Sequence, residues 1–191
     1  MAHTFVISVL TKDRVGIIAG VTKALYDLGG NIAAISQTVL DGYFTIIITA
    51  AFPAGLTAEQ IRAGVTKSGG SGELSVSVQQ RDPAPPAAPG GRSGDRFILT
   101  ITGEDRPGIL HRISSYLSSR GINIEDLYAY TEGERFVLIG ELMIPTEQDV
   151  RQLQIDLSEL WRETTVTVRL QHQNIFLATN EIDFRHAPSR G

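Results

Sequence analysis

The chain has 191 residues, 42% of them hydrophobic and 20% charged, with a formal net charge of −4 and no cysteine. That size accommodates one large domain or two small ones, and the lack of cysteine excludes a disulfide framework, thiolate zinc sites and cysteine nucleophiles. No basic stripe is present to neutralise phosphates and no apolar run is long enough to span a bilayer as a helix, so neither direct nucleic-acid binding nor a membrane anchor is expected.

The chain enters strand-like residues at once, with no basic segment ahead of a long apolar run. A secretion signal is therefore not expected, and a cytoplasmic location is. "FVISVL" (5–10) predicts a first strand. After the turn "TKDRVG", Ile17, Ile18, Val21, Leu25 and Leu28 follow helical spacing, and Gly29 falls where a left-handed residue ends a helix. "NIAAISQTVL" (31–40) predicts a second strand, Asp41-Gly42 a hairpin turn, and "YFTIIITAAF" (43–52) a third strand. That third strand is apolar at successive positions, so both of its faces want cover. Thr57 and Gln60 form a capping-box pair opening a second helix. Its body, "EQIRAGVTKSGG", is Gly-laden and expected to be shorter and less regular than its later counterpart. "LSVSVQ" (74–79) closes the first unit.

Residues 82–94, "DPAPPAAPGGRSG", hold four Pro and three Gly and read as a semi-extended linker. Beyond it the pattern starts again. A shift of 92 positions aligns 5–53 with 97–145 without a gap, and twelve pairs are identical, among them Asp13/Asp105, Arg14/Arg106, Gly16/Gly108, Gly29/Gly121 and Asn31/Asn123. An internal repeat of this kind sets the architecture. "FILTIT", a helix carrying Ile109, Ile113 and Leu117, "NIEDLYAYT" and "RFVLIGELMI" repeat the order, with Pro107 expected at the helix start. Thr146 and Asp149 read as a variant of the capping box, before a helix faced by Val150, Leu153, Leu157, Leu160 and Trp161, and "VTVRL" closes the unit.

The fold class that follows is α+β: two ferredoxin-like βαββαβ domains with antiparallel four-stranded sheets. Residues 1–81 form the first domain, 82–94 the linker, 95–170 the second domain and 171–191 a C-terminal tail. Charge divides unevenly, with a net +1 over 1–81 and −5 over 95–170.

The repeat places Asp13 and Asp105 at the exit of a first strand, before a helix N-terminus, and Asn31 and Asn123 at the start of a second strand. Within one unit those two places lie at opposite ends, so equivalent groups meet only if two units pair. The chemistry suits an amino acid. Free helix-start N–H groups favour a carboxylate, an Asp accepts from an ammonium, an Asn carboxamide both donates and accepts, and Gly16 and Gly108 permit close backbone approach. The alternative stays open: Asp as a helix cap, Gly as a turn residue and Asn as an ordinary strand opener. The four histidines, His3, His111, His172 and His186, lack zinc-type spacing, and Ser-rich 114–119 lacks a His/Asp partner. No catalysis, metal or cofactor is expected.

A strand, then (D/N)RPG(I/V)L, an apolar helix ending at Gly, then (V/I)NI opening a strand, resembles the ACT domain. "EDRPGILHRISSYLSSRGINIEDL" (104–127) fits closely, and "KDRVGIIAGVTKALYDLGGNIAAI" (12–35) departs from it by Val15 for Pro. The tandem arrangement is similar to regulators grouped with the glycine-cleavage-system transcriptional repressor. The resemblance implies a non-catalytic amino-acid sensor, with ligand bound between paired domains by Asp13, Gly16 and Asn31 and by Asp105, Gly108 and Asn123. Family members often carry Asn where this chain has Asp13 and Asp105, and an Asp favours an ammonium over a carboxylate. The resemblance also implies action through a protein partner, such as a transcriptional activator or metabolic enzyme. The doubly apolar third strands and the sheet edges predict pairing of domains within the chain and between chains, with a homodimer as the expected assembly. A ligand-free dimerisation module is the alternative.

Overall fold

A computed structural model of the chain describes residues 2–70, 73–81, 94–162 and 164–179 and divides into two compact units, Met1–Ala87 and Ala88–Gly191. Of the expected linker only Gly94 is described, and the tail beyond 179, His186 included, also lies outside the described residues.

The first unit runs β1 (His3–Lys12), α1 (Ile17–Asp27), β2 (Asn31–Leu40), β3 (Tyr43–Phe52), α2 (Ala58–Lys67) and β4 (Ser75–Gln80). Its antiparallel sheet has the order β2-β3-β1-β4. The second unit repeats this with β5 (Gly94–Glu104), α3 (Ile109–Ser119), β6 (Asn123–Glu132), β7 (Arg135–Pro145), α4 (Val150–Glu159) and β8 (Thr167–His172), in the order β6-β7-β5-β8. A further helix, α5 (Gln173–Thr179), follows, so the expected tail begins with the end of a strand and a helical segment.

Period-two alternation sends Phe5, Ile7 and Val9 of β1 and Phe44, Ile46, Ile48 and Phe52 of β3 to one face, where Ile17, Val21, Leu25, Ile61 and Val65 of the two helices bury them. The second unit builds the same core from Leu99, Ile101, Leu138 and Leu142 under Ile109, Ile113, Leu117, Leu153 and Leu157. Ile18, one of the apolar residues at helical spacing, stands 43% exposed, and its counterpart Leu110 does likewise.

The helix ends follow the repeat closely. Gly29 (φ 73°) and Gly121 (φ 68°) occupy the left-handed position, and each closes a double bond of the Schellman type. Gly29 and Gly30 N–H donate to Tyr26 and Leu25 carbonyls; Gly121 and Ile122 donate to Ser118 and Leu117. Directly after them the units exchange volume. Gly30 lies against the Phe52 ring, where an added Cβ would come within 2.6 Å of it. In the second unit the matching positions hold Ile122 and Ile144, both buried.

Three expectations are corrected at helix starts and lengths. α2 is as long as α4, ten residues each, and its Thr57–Gln60 capping box forms in full; its glycines are accommodated by packing, Gly64 lying against Leu28. The Thr146–Asp149 pair forms no box. Asp149 is itself the cap, accepting from Arg151 and Gln152 N–H at 2.9 and 3.2 Å, while the Thr146 hydroxyl turns to Glu147. The shift of 92 therefore continues through the second helices, matching Thr57 with Asp149. Pro107 precedes the cap residue Gly108 and so lies one step outside the helix.

Both second strands carry a one-residue irregularity at the same place, between Ile32 and Ala34 and between Ile124 and Asp126. The outer faces of the two sheets are treated differently. On the second, α5 packs against β5 and β8, leaving Ile98 2% and Phe176 6% exposed. On the first, the outward residues Leu10, Tyr43 and Ile47 remain 49, 51 and 53% exposed. The expectation that β3 wants cover on both faces is thus met on its inward face by helices and left open on the outward one.

Candidate ligand-binding site

Each candidate turn is pinned to the tip of the neighbouring hairpin. The Asp13 N–H donates to the Gly42 carbonyl at 2.8 Å, and the Asp105 N–H to the Glu134 carbonyl at 3.0 Å. The cap residues are Gly16 (φ 94°) and Gly108 (φ 90°), both left-handed, a conformation that disfavours side chains. Open space surrounds the place of an added Cβ at both. The glycines therefore serve backbone conformation, and close approach of a neighbouring group is not what requires them.

A glycine cap supplies no side-chain acceptor, and neither α1 nor α3 has a side-chain cap bond. The reading of Asp13 and Asp105 as helix caps is thereby overturned: the chain places each Asp three residues ahead of the cap position. The Asp105 carboxylate accepts from the Thr131 hydroxyl at 3.3 Å. Val39 stands at the matching position of the first unit, so Asp13 has no such donor there. First-turn N–H groups of both helices are left without a side-chain acceptor, as at any uncapped helix start, and an exposed Asp lies three residues ahead of each cap.

Asn31 lies elsewhere. Through their shared neighbour Ala51, it stands level with Thr4, while Asp13 follows Lys12 at the other end of the strand. At about 3.3 Å per residue the separation is about 30 Å. Asn123 and Asp105 are parted in the same way, Asn123 standing level with Arg96 through Met143. One unit therefore brings Asp and Gly together and holds Asn apart.

The two arginines of the repeated turn diverge. Arg14 donates to the Gly69 carbonyl at 2.6 Å, just past α2, and so ties the turn to the second helix. Arg106 pairs with Glu104 at 2.7 Å. Neither the Gly69 contact nor the Thr131 contact was legible locally, since Gly69 is 55 positions from Arg14 and a Thr131 hydroxyl has no motif around it.

A second polar group lies between α3 and α4, around a small concavity of about 90 Å3 bordered by Tyr116, Arg120, Gln148, Gln152 and Asp156. Asp156 accepts from Gln152 at 2.7 Å, Tyr116 at 2.8 Å and Arg120 at 2.6 Å. The Gln152 bond, then the Tyr116 bond and the Arg120 charge, hold its carboxyl below the usual carboxylate range. Burial, reinforced by Asp156, pushes the Tyr116 phenol up. These groups satisfy one another and latch the two helices; none of the six candidate residues borders this concavity.

Models of the ACT domain match residues 5–63 and 95–171. Among curated proteins, a UPF0237 protein of Listeria innocua is 34% identical over 79 residues, 40% of this chain and 88% of the relative. One from Methanopyrus kandleri is 33% identical over 89 residues, 46% of this chain and 98% of the relative. Among solved structures, an unknown protein from Galdieria sulphuraria covers 90% of this chain and 99% of its own, with a TM-score of 0.73 and 21% identity. A putative glycine cleavage system transcriptional repressor covers 91% and 99%, with a TM-score of 0.62 and 15% identity. These structural likenesses bear on fold, and over nearly the whole chain they share the doubled βαββαβ arrangement. The chain belongs to the ACT-domain family and carries two ACT domains in tandem.

Proposed function

We propose that this protein is a non-catalytic regulator that senses an amino acid at paired ACT domains and controls amino-acid metabolism through a protein partner. ACT domains are regulatory, amino-acid-sensing modules. The observation that carries the reading here is the duplicated, uncapped helix start with an exposed Asp three residues ahead of it, Asp13 before Gly16 and Asp105 before Gly108. The helix N–H groups would hold the ligand carboxylate and the Asp its ammonium. Asn31 and Asn123 would come from the neighbouring domain of a pair, since each is about 30 Å from the Asp of its own unit. The edge strands β2 and β6 are ten residues long and largely exposed, which favours domain pairing along them. The glycine-cleavage direction comes from the likeness to the putative repressor. A cytoplasmic homodimer, with the first domain ending near 81 and the second starting near 95, completes the proposal.

A thermal-shift screen over the twenty amino acids tests it. Ligand at a hundred times its Kd adds about 2.7 kcal/mol of stability. Asp105→Ala abolishes that shift while leaving the unliganded protein within about 0.5 kcal/mol of the original, as for a surface change that touches no cap. Asp149→Ala, which removes an actual cap, costs about 0.5–2 kcal/mol with or without ligand. No shift with any amino acid would leave the ligand-free pairing module, the reading that the long open edges favour by themselves.

A further inference from the structure

The outward face of the first sheet, with Leu10, Tyr43 and Ile47 about half exposed, is covered by no other element among the described residues. The strand registers give its composition. Across the outward positions of all four strands Lys12 is the only charged residue, and the rest are Thr, Ser, Ala, Asn, Gln and a few large apolar side chains. The second sheet presents Arg96, Asp126, Glu132, Arg135, Glu141 and Arg169 on the same side, and it has α5 over Ile98. The two outer faces thus differ: the second is charged and covered by a helix on its β5–β8 side, with Tyr128 and Tyr130 of β6 still 45 and 53% exposed, while the first is open and carries the single charge of Lys12.

We infer that the outward face of the first sheet docks on the same face of a second copy of this chain. This makes specific the homodimer of the proposed function and is independent of the ligand. Charge favours this occupant: apart from Lys12 at the end of β1, the face meets its own copy without like-charge repulsion, whereas a charged partner surface would be desolvated there without compensation. Relief fits as well. Ile47 sits mid-strand on β3 with Ser8 on one side and Ser36 on the other, a projection flanked by two hollows. A two-fold axis lets each projection enter the other copy's hollow, as an isologous interface requires. Stacked sheets approach to about 10 Å, and small hydroxyl-bearing side chains permit that spacing. Area suffices too. Four strands about 4.8 Å apart, with residues at about 3.3 Å, make a face of about 550–600 Å2, so a pair buries about 1,100–1,200 Å2, above the roughly 1,000 Å2 that a specific interface needs.

The test uses the full chain at tens of micromolar in light scattering and sedimentation. The original protein reads as two chains, and Ile47→Glu and Leu10→Glu each read as one, with unchanged circular dichroism. A second arm guards against misfolding. Because the chain lacks cysteine, Ile47→Cys introduces a single thiol, and a bismaleimide joins two chains through it. Ile155→Cys, on the exposed side of α4, stays unjoined. An original protein that reads as one chain overturns both the homodimer and the face. A dimer that persists in Ile47→Glu, with Ile47→Cys unjoined, overturns the face alone and moves the pairing to another surface, such as a sheet edge. The amino-acid thermal shift, measured on the same variants, reports separately on the ligand reading.

Discussion

Asp156 shows how much a single side chain of the second domain organises. It collects Gln152, Tyr116 and Arg120 within hydrogen-bond distance, and its carboxyl titrates below the ordinary range for that reason. A folded value below the unfolded one, about 3.9, means that the ionised group stabilises the native state above that value. That contribution is lost as pH falls through the lower folded value. Asp156→Asn is therefore expected to be less stable than the original at pH 7 and to lose less stability on acidification from pH 5 to pH 2. Urea unfolding across that range checks it, and parallel pH profiles would remove the role. Residue identities of the repeated turn were legible in the sequence, but their work was not. Gly16 and Gly108 could be named from the repeat alone, whereas the reason for them is a left-handed φ in open space. The alternative of Asp13 and Asp105 as caps fails because the cap position falls three residues later, at Gly16 and Gly108.

Among elements, the strands were read best, because alternation and the hairpin at Asp41-Gly42 fix their ends within a few residues. β2 and β3 match their expected spans. The second helices were read less well, since Thr146 and Asp149 offer two plausible caps and only the fold selects the stronger acceptor. The exchange of Gly30 and Phe52 for Ile122 and Ile144 could not be read from one position at a time, because each half makes sense only against its partner. Gly30→Ile alone drives a branched side chain into the Phe52 ring and is expected to cost about 1–3 kcal/mol or more. Adding Phe52→Ile, which recreates the second unit's pair, recovers part of that loss. A double-mutant cycle by denaturant unfolding then gives a favourable coupling of about 0.5–3 kcal/mol, and strict additivity would show that the two sites do not share one space. The irregularities at Ala33 and Glu125 are set by count in the same way: they bring Asn31 and Asn123 to the outward side while the strand beyond them keeps its own alternation.

At the scale of the molecule, the repeat made two domains of one fold class legible, and the lack of cysteine excluded a thiol. The unequal outer faces were not legible, because the charges that distinguish them are spread over four strands whose adjacency the linear order hides. The repeat gives the chain two sheets of one topology, and α5 covers the β5–β8 side of the second, beside a set of charged side chains. An isologous surface used once per chain has a valence of one. Association through it is expected to stop at two chains as concentration rises, with a scattering mass that plateaus, and a mass that keeps climbing would contradict this. Had both outer faces stayed neutral and bare, each chain would carry two such surfaces and link its neighbours end to end without limit. On the docking inferred above, the seven-residue helix after β8 would act as a chain terminator, keeping the second sheet from offering a matching face.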